Sequence, residues 1–409
     1  MAAPRKTSSK ASSKSHICDV AIAGGGPAGL TLALALARRG YEVGVVDGAP
    51  APKAGKVNDS RAFFIAYGCW RIFRSLALDT ELLKQAELVL SVEAKGKIGG
   101  VSFLAEECDG EPVLGYMVEA AHLLPALYEA VKAEQRIRLV SGARIEGASF
   151  GDPLAALFYA GGEMHSPLIV ACDGAKSVVR GGSGLRFEGW EYDAKAISAT
   201  VQLSADHKGA ARQVFLPGGP LAVLPLKGSR ANLIWTERAA VADALMALDD
   251  AGFEAELAKK AGDFVPGAKL AGVRHAFPVG LFVAEAFHAQ RLALAGDAAH
   301  VIHPLGGQGL NLGLKDIAAL VDVIDEAGHA GLDIGAASAL APYTSWRRAD
   351  VAGTAAAMEA FARAFSAPLP VRLAAGAVMG AVGAIGPARK LFAKEAGGDL
   401  GDLPSLMRV

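Results

Sequence analysis

Three features of this 409-residue chain point to an α/β (α+β) architecture: a β-α-β dinucleotide-binding domain, an antiparallel β-sheet inserted into it, and a C-terminal helical segment. The first is Gly24-Gly25-Gly26-Pro27-Ala28-Gly29, set between an apolar run at 17–23 and a helical pattern at 27–39, with the strand 41–46 and Asp47 following. The second is the alternation of apolar and polar residues through 87–118 and 192–236, punctuated by turns. The third is helical patterning at 335–367 and 371–394.

Residues 17–23 read as a buried strand, and Pro27 suits the first turn of the helix that Gly40 ends. Residues 49–57 are a Pro/Gly/Lys loop, and 60–78 resume a helical pattern. Residues 119–133 read as a helix, with short strands near 136–140, 143–150 and 154–160. Leu168–Cys172 is a buried strand ending in Asp173-Gly174. Pro217, Gly218-Gly219 and Pro225 interrupt the later strands, two short helices fit 239–261, and strands return at 271–283 and 291–295. A long helix runs from near Gly307 to about Glu326. The expected domains are a disordered basic tail (1–16), a discontinuous dinucleotide domain (17–86, 119–185 and 271–345), a β-sheet substrate domain (87–118 and 186–270) and a helical region (346–409).

Hydrophobic residues make up 52% of the chain, which excludes a solvated, disordered polymer. The 41 basic and 42 acidic residues supply no bulk positive field, which argues against a nucleic-acid partner. Cys18, Cys69, Cys108 and Cys172 form no C-x-x-C pair and no metal-ligand spacing, so buried free thiols in the cytoplasm are expected. Residues 1–16 carry Arg5, Lys6, Lys10 and Lys14, no acid and no apolar core of a secretory signal. They read as a floppy basic tail, with an organellar transit peptide as the alternative, and residues 1–15 are expected to be dispensable for folding and flavin binding. The longest uncharged apolar stretch, 373–388, is short for a membrane span and holds four glycines and a proline.

The glycine loop has a physical reading. Gly24 permits the tight turn, Gly26 lets a pyrophosphate approach the backbone, and Gly29 lets the helix pack closely on the sheet. Asp47 is placed to accept a hydrogen bond from an adenosine ribose. A second element runs from Leu292 to Gly313. Here a strand delivers Gly296-Asp297, then His303-Pro304-Leu305-Gly306-Gly307-Gln308-Gly309-Leu310-Asn311 opens the long helix. Asp297 suits a polyol hydroxyl, and the N–H groups of Gly307 to Gly309 suit an anionic ring edge. A third element, Asp173-Gly174 with Arg180 one turn on, reads equally as a helix cap or a site.

Together these elements resemble the para-hydroxybenzoate-hydroxylase-type flavin monooxygenases, and within them the ubiquinone-biosynthesis hydroxylases. The narrower likeness rests on Asp59-Ser60-Arg61-Ala62, Gly115-Tyr116-Met117-Val118-Glu119, Gly189-Trp190-Glu191-Tyr192, the run His303 to Gly313, and the closing Gly397-Gly398-Asp399-Leu400. It covers 17 to 407. The resemblance implies non-covalent FAD with NAD(P)H as co-substrate. It implies hydroxylation of a polyprenylated phenol or benzoquinol by O2 through a flavin C4a-hydroperoxide. Gly24, Gly26, Pro27, Ala28, Gly29 and Arg61 would hold the pyrophosphate and Asp47 the ribose. Asp173, Gly174 and Arg180 would serve the pyrophosphate and the passing nicotinamide, Gly296 and Asp297 the ribitol, and Pro304 to Asn311 the isoalloxazine. The family usually has Glu where this chain has Asp47.

His303 stands where soluble-substrate members have proline, and it is a candidate for proton transfer beside Pro304; bracing of the loop is the alternative. The apolar 371–394 segment suits either a membrane surface, such as the inner membrane with other ubiquinone-biosynthesis proteins, or packing on the FAD domain. Hydroxylation of a soluble aromatic compound, and a non-catalytic flavin-binding subunit, are the rival functions. A single G-x-G-x-x-G without a redox cysteine pair separates the chain from disulfide reductases, and W-x-W-x-I-P of flavin halogenases is absent.

Overall fold

The computed structural model describes residues 14–52, 60–95, 100–107, 111–262 and 264–408. A six-stranded sheet is ordered His288–Ala289, Leu292–Leu294, Leu168–Ala171, Val20–Ala23, Val43–Asp47 and Ile137–Ser141. All its pairings are parallel except that of the short His288–Ala289 edge. Val20–Ala23 and Leu168–Ala171 are buried along their whole length, which is why they read as unbroken apolar runs. Helix Pro27–Arg38 packs against helices Ala120–Ala133 and Gln308–His329.

The second large sheet is built mainly from His275–Ala284, Phe187–Gln202, Arg230–Arg238, Gly219–Leu226, Ala210–Leu216, Ser91–Lys95 and Gly100–Leu104, in that order. Its two faces follow the strand period of two. Ile197, Leu221, Val223, Leu233 and Trp235 point to one side and form a separate core with Phe253 and Leu257 of helix Asp250–Ala261. The intervening Ser198, Ala222, Leu224 and Ile234 look to the other side, onto a cavity shared with the six-stranded sheet.

Several expectations shift. Residues 60–78 are not one helix. Ala62–Ala66 is a strand, paired antiparallel with Gly115–Glu119, and helix Tyr67–Ser75 follows it. The expected boundary at 271 does not follow the sheets, because His275–Ala284 pairs along most of Phe187–Gln202. Pro225 does not end its strand; it lies one residue before the ladder stops. Residues 14–16, expected in the basic tail, belong to the body: Lys14–Ile17 is a strand running parallel to Gly162–His165. Residues 1–13, Asp59, most of the 49–57 loop and Cys108 lie outside the described residues.

Helices Ala337–Ser366, Leu369–Ala384 and Gly386–Ala396 complete the chain. It then returns to helix Tyr67–Ser75. Gly68 N–H donates to Gly397 O at 2.9 Å, and Arg71 Nη1 donates to Asp399 Oδ1 at 2.7 Å. A Cβ on Gly397 would lie 2.0 Å from Tyr67 Cε1, so the Gly397-Gly398-Asp399 signature is a docking motif for the chain's own end. Cys18, Cys69 and Cys172 are free; burial pushes the Cys18 thiol up to about 12 and that of Cys69 up to about 11.

Candidate active site

A cavity of about 660 Å³ lies between the two large sheets. One end is walled by Gly26, Pro27, Ala28, Gly174, Gly296 and Asp297, the other by sheet residues including Ala211, Ala222, Leu224, Ile234, Phe277 and Val279. Arg61, Pro304, Gly306, Gly307, Gly309 and Leu310 lie along it. Pieces of chain nearly 290 residues apart in sequence thus meet in one space.

The glycine loop divides its labour. Gly24 has φ +106°, and a Cβ there would sit 2.3 Å from Cys172 O. A Cβ on Gly29 would sit 2.0 Å from Gly24 O. These two are needed by the protein itself. A Cβ on Gly26 meets nothing within 4 Å, so that position keeps space clear for something else. Gly26 is also the N-cap of helix Pro27–Arg38, with no side chain capping it. Open N–H groups at a helix start facing a cavity suit a pyrophosphate. Asp47 closes its strand beside this loop. Its Oδ1 accepts from Ala49 N–H at 2.9 Å, and a Cβ on Gly25 would lie 2.5 Å from its Oδ2.

The second helix start is built alike. Gly306 and Gly307 take φ of 66° and 64°, in the left-handed region, and Gly307 caps helix Gln308–His329 without any side-chain bond. Asn311 does not line the cavity. It is a brace: its Oδ1 accepts from Ala66 N–H at 2.8 Å, and its Nδ2 donates to Phe64 O at 2.9 Å and Gly307 O at 3.1 Å. Gln308 also stays out, donating to Gly306 O at 3.5 Å.

Asp297 lines the cavity and is open to it, within a surround of protein that raises its pKa against the pull of the nearby His300 and Arg61. The turn carrying it is held from behind by a buried network that the sequence reading missed. Asp316 accepts from Gly296 N–H at 2.9 Å and pairs with His300 Nε2 at 2.7 Å and Arg347 Nε at 2.8 Å. Burial alone would raise the Asp316 pKa, but His300 and Arg347 outweigh it and hold the carboxyl below its ordinary range. The only sequence signal was a charge among the apolar residues of a helix, which is common where buried charges are paired.

The third element is structural. Asp173 Oδ2 accepts from Val178 N–H at 2.8 Å, and Ser177 Oγ accepts from Arg180 N–H at 3.0 Å, so both cap the helix start. Arg180 is not free for a ligand. Its guanidinium donates to Ala298 O and Ala175 O, both at 2.7 Å, and lies 3.7 Å from the Phe187 ring centroid. It ties this element to the Asp297 turn, and of the three predicted residues only Gly174 lines the cavity.

His303 is displaced from the predicted role. Ile302 and Pro304 line the cavity, while the His303 imidazole packs edge-on against Tyr192, centroids 5.8 Å apart. Tyr192 OH in turn donates to Glu359 of helix Ala337–Ser366. Burial lowers the His303 pKa to about 4, with Glu359 opposing, so the ring is neutral at pH 7 and poorly suited to supply a proton there. A depressed histidine pKa stabilises the fold above its ordinary value of 6.5, and that stabilisation is lost as pH falls from 6.5 to about 4. Thermal melts across this window should show a loss of about 3 kcal/mol that His303→Leu abolishes. Parallel pH profiles for the two proteins would refute this placement.

Residues 17–352 match the FAD binding domain family. The chain is 35% identical to ubiquinone hydroxylase UbiL of Rhodospirillum rubrum, over 99% of this chain and 96% of that one. It is also 35% identical to 3-demethoxyubiquinol 3-hydroxylase of Escherichia coli, over 86% of this chain and 91% of that one. In fold it is similar to p-nitrophenol 4-monooxygenase PnpA of Pseudomonas putida, with a TM-score of 0.78 at 19% identity over 93% of this chain and 98% of that one. The glycine loop, the Asp297 turn and these relationships lead to one conclusion: the chain belongs to the FAD-binding-domain flavoprotein monooxygenases, in the group of the ubiquinone-biosynthesis hydroxylases.

Proposed function

We propose that this enzyme hydroxylates the aromatic ring of a polyprenylated phenol or benzoquinol precursor of ubiquinone, using NAD(P)H and O2. The observation that carries the reading is the continuity of the cavity. The dinucleotide end at Gly26 and Asp297 opens directly onto an apolar chamber roofed by Ala222, Leu224, Ile234 and Phe277. FAD, when bound, supplies the redox chemistry that activates O2. The protein's own contribution is placement and dryness. Gly26 leaves room for the pyrophosphate, Asp297 accepts from the ribitol, and the helix start at Gly307 stabilises negative charge on the ring edge. The apolar roof excludes water from the reacting oxygen.

Arg212 bears on the rival reading. A soluble hydroxybenzoate would need a cation for its carboxylate, but the Arg212 guanidinium already lies 3.7 Å from Glu93. An uncharged prenylated ring fits this wall better.

The prenyl tail would leave toward the C-terminal helices. Val371, Val378, Ile385 and Leu391 are exposed there, and residues 360–394 contain five basic residues and no acid. No helix among the described residues is long and apolar enough to cross a membrane, so the contact proposed is with the surface of an anionic bilayer. Purified protein should convert a prenylated phenol presented in anionic vesicles, and co-float with them, but leave 4-hydroxybenzoate unchanged. Preferential turnover of the soluble acid would replace this reading with the catabolic one.

A further inference from the structure

Strand Ala210–Leu216 alternates between two environments. Val214 and Leu216 pack on the separate core of the far face, and Arg212 stands opposite Val223 of that core and beside Glu93. The alternate residues Ala211 and Gln213 line the cavity. Gln213 is therefore an amide set into an apolar roof, and it is half-buried, so a ligand in the cavity can reach it. Its ladder neighbours are Ala222 on one side and Ala94 on the other, and these small side chains leave the amide room. Among the described residues it has no hydrogen-bond partner. Ser198, another neutral polar residue lining the cavity, is only 1% exposed and lies 3.5 Å from Asn232 Nδ2, so it is not open in the same way. Gln213 also marks a border. Val92 and Ala222 line the cavity, whereas Ala94 and Phe215, each two residues further along its strand than Val92 or Gln213, join a small apolar cluster with Phe361 and Ala375 of the C-terminal helices.

A ligand that fills the space under this roof strips water from the Gln213 amide, and a dehydrated amide is costly unless the ligand replaces the lost hydrogen bond. We infer that Gln213 hydrogen-bonds the ring oxygen that stands next to the prenyl tail, and so selects and orients the substrate. The inference rests on the proposed substrate class and adds which ring position is gripped. An amide both donates and accepts, so it serves a phenolic O–H or a quinone carbonyl, but it offers a carboxylate no counter-charge. The cavity wall ends at Gln213 and the apolar cluster begins beside it. A tail directed toward the C-terminal helices therefore leaves the ring at the place where the amide holds its oxygen. The ring carbon bearing the tail and the one bearing the oxygen are then neighbours. With both held, the ring cannot turn in its own plane, and a fixed edge is presented to the flavin.

The test uses full-length, FAD-loaded protein and three probes, ortho-prenylphenol, para-prenylphenol and prenylbenzene, with binding followed by the perturbation of flavin absorbance. Wild type should bind ortho-prenylphenol about 10- to 100-fold more tightly than prenylbenzene. Gln213→Leu should bring these two within about threefold of each other by weakening the ortho phenol, while para-prenylphenol changes by less than about threefold and FAD content is unchanged. Gln213→Ala, which matches the small residues around it and serves if the leucine variant does not fold, should do the same. Discrimination retained in the variants that fold, or equal weakening of the ortho and para phenols, would overturn the proposal. So would loss of FAD from a folded variant, which would assign the amide to the cofactor. A wild-type flavin that responds to none of the probes would instead remove the substrate class, and this role for Gln213 with it.

Discussion

Gly26→Val is expected to give a folded, colourless protein. The valine finds no protein atom within 4 Å of its Cβ, so the chain accommodates it, and the space it fills is the space the pyrophosphate needs. FAD content should fall from near stoichiometric to undetectable while the far-ultraviolet spectrum stays native. Gly24→Ala makes the opposite prediction. Its Cβ would lie 2.3 Å from Cys172 O at a φ of +106°, so it should lose the fold itself. Asp297→Ala should resemble Gly26→Val, because it removes a cavity-facing acceptor and no internal partner. Flavin quantified after denaturation, beside a thermal melt, checks all three. A yellow Gly26→Val protein would mean that the dinucleotide binds elsewhere.

Asp316→Ala should be the most destabilising single change among the buried charged residues. Asp316 is fully buried, and removing it leaves the Arg347 guanidinium without its Nε partner and Gly296 N–H without an acceptor. Breaking a buried ion pair from one side costs about 3–5 kcal/mol, a large share of the total stability of an ordinary domain. The Asp297 turn hangs on the same carboxylate, so FAD affinity should fall with stability. Asp316→Asn keeps the volume and an acceptor and should lie between. The pH signature separates this network from His303. A carboxyl held below its ordinary 3.8 contributes fully above that value and loses its contribution only as pH falls further, whereas the His303 effect is complete by about pH 4. Chemical denaturation showing a loss under about 1 kcal/mol for Asp316→Ala would mean that the network is not holding the turn.

The parts of the site that were legible in the sequence are those whose chemistry is local. Gly24 to Gly29 and Gly296-Asp297 state their geometry within six residues, because a tight turn and a helix start need particular residues at fixed offsets. The supporting residues were not legible, because their roles depend on distant partners. Asn311 acts on Phe64 and Ala66, about 245 residues away, and nothing in its own neighbourhood announces this. Arg180 and Asp173 had the right spacing for a ligand, but Ala298 O and the helix N–H groups claim them first. The misread 62–66 stretch is Ala62-Phe63-Phe64-Ile65-Ala66, an unbroken apolar run that fits either period; only pairing with Gly115–Glu119 decides it as a strand. His303 was misplaced because its neighbours in sequence, Ile302 and Pro304, line the cavity while its own ring packs on Tyr192 from a strand about 110 residues earlier, a contact that nothing local announces.

The central claim is that FAD in this cavity serves a ring hydroxylation and is not merely held. The direct measurement is single-product analysis under isotopically heavy oxygen gas, with FAD-loaded protein, NAD(P)H and a short-chain prenylated phenol. The account predicts that the phenol accelerates NAD(P)H oxidation and that the product carries one heavy oxygen atom, as a new hydroxyl on the ring. NAD(P)H oxidation indifferent to the phenol, with all the heavy oxygen recovered as hydrogen peroxide and none on the ring, would contradict it.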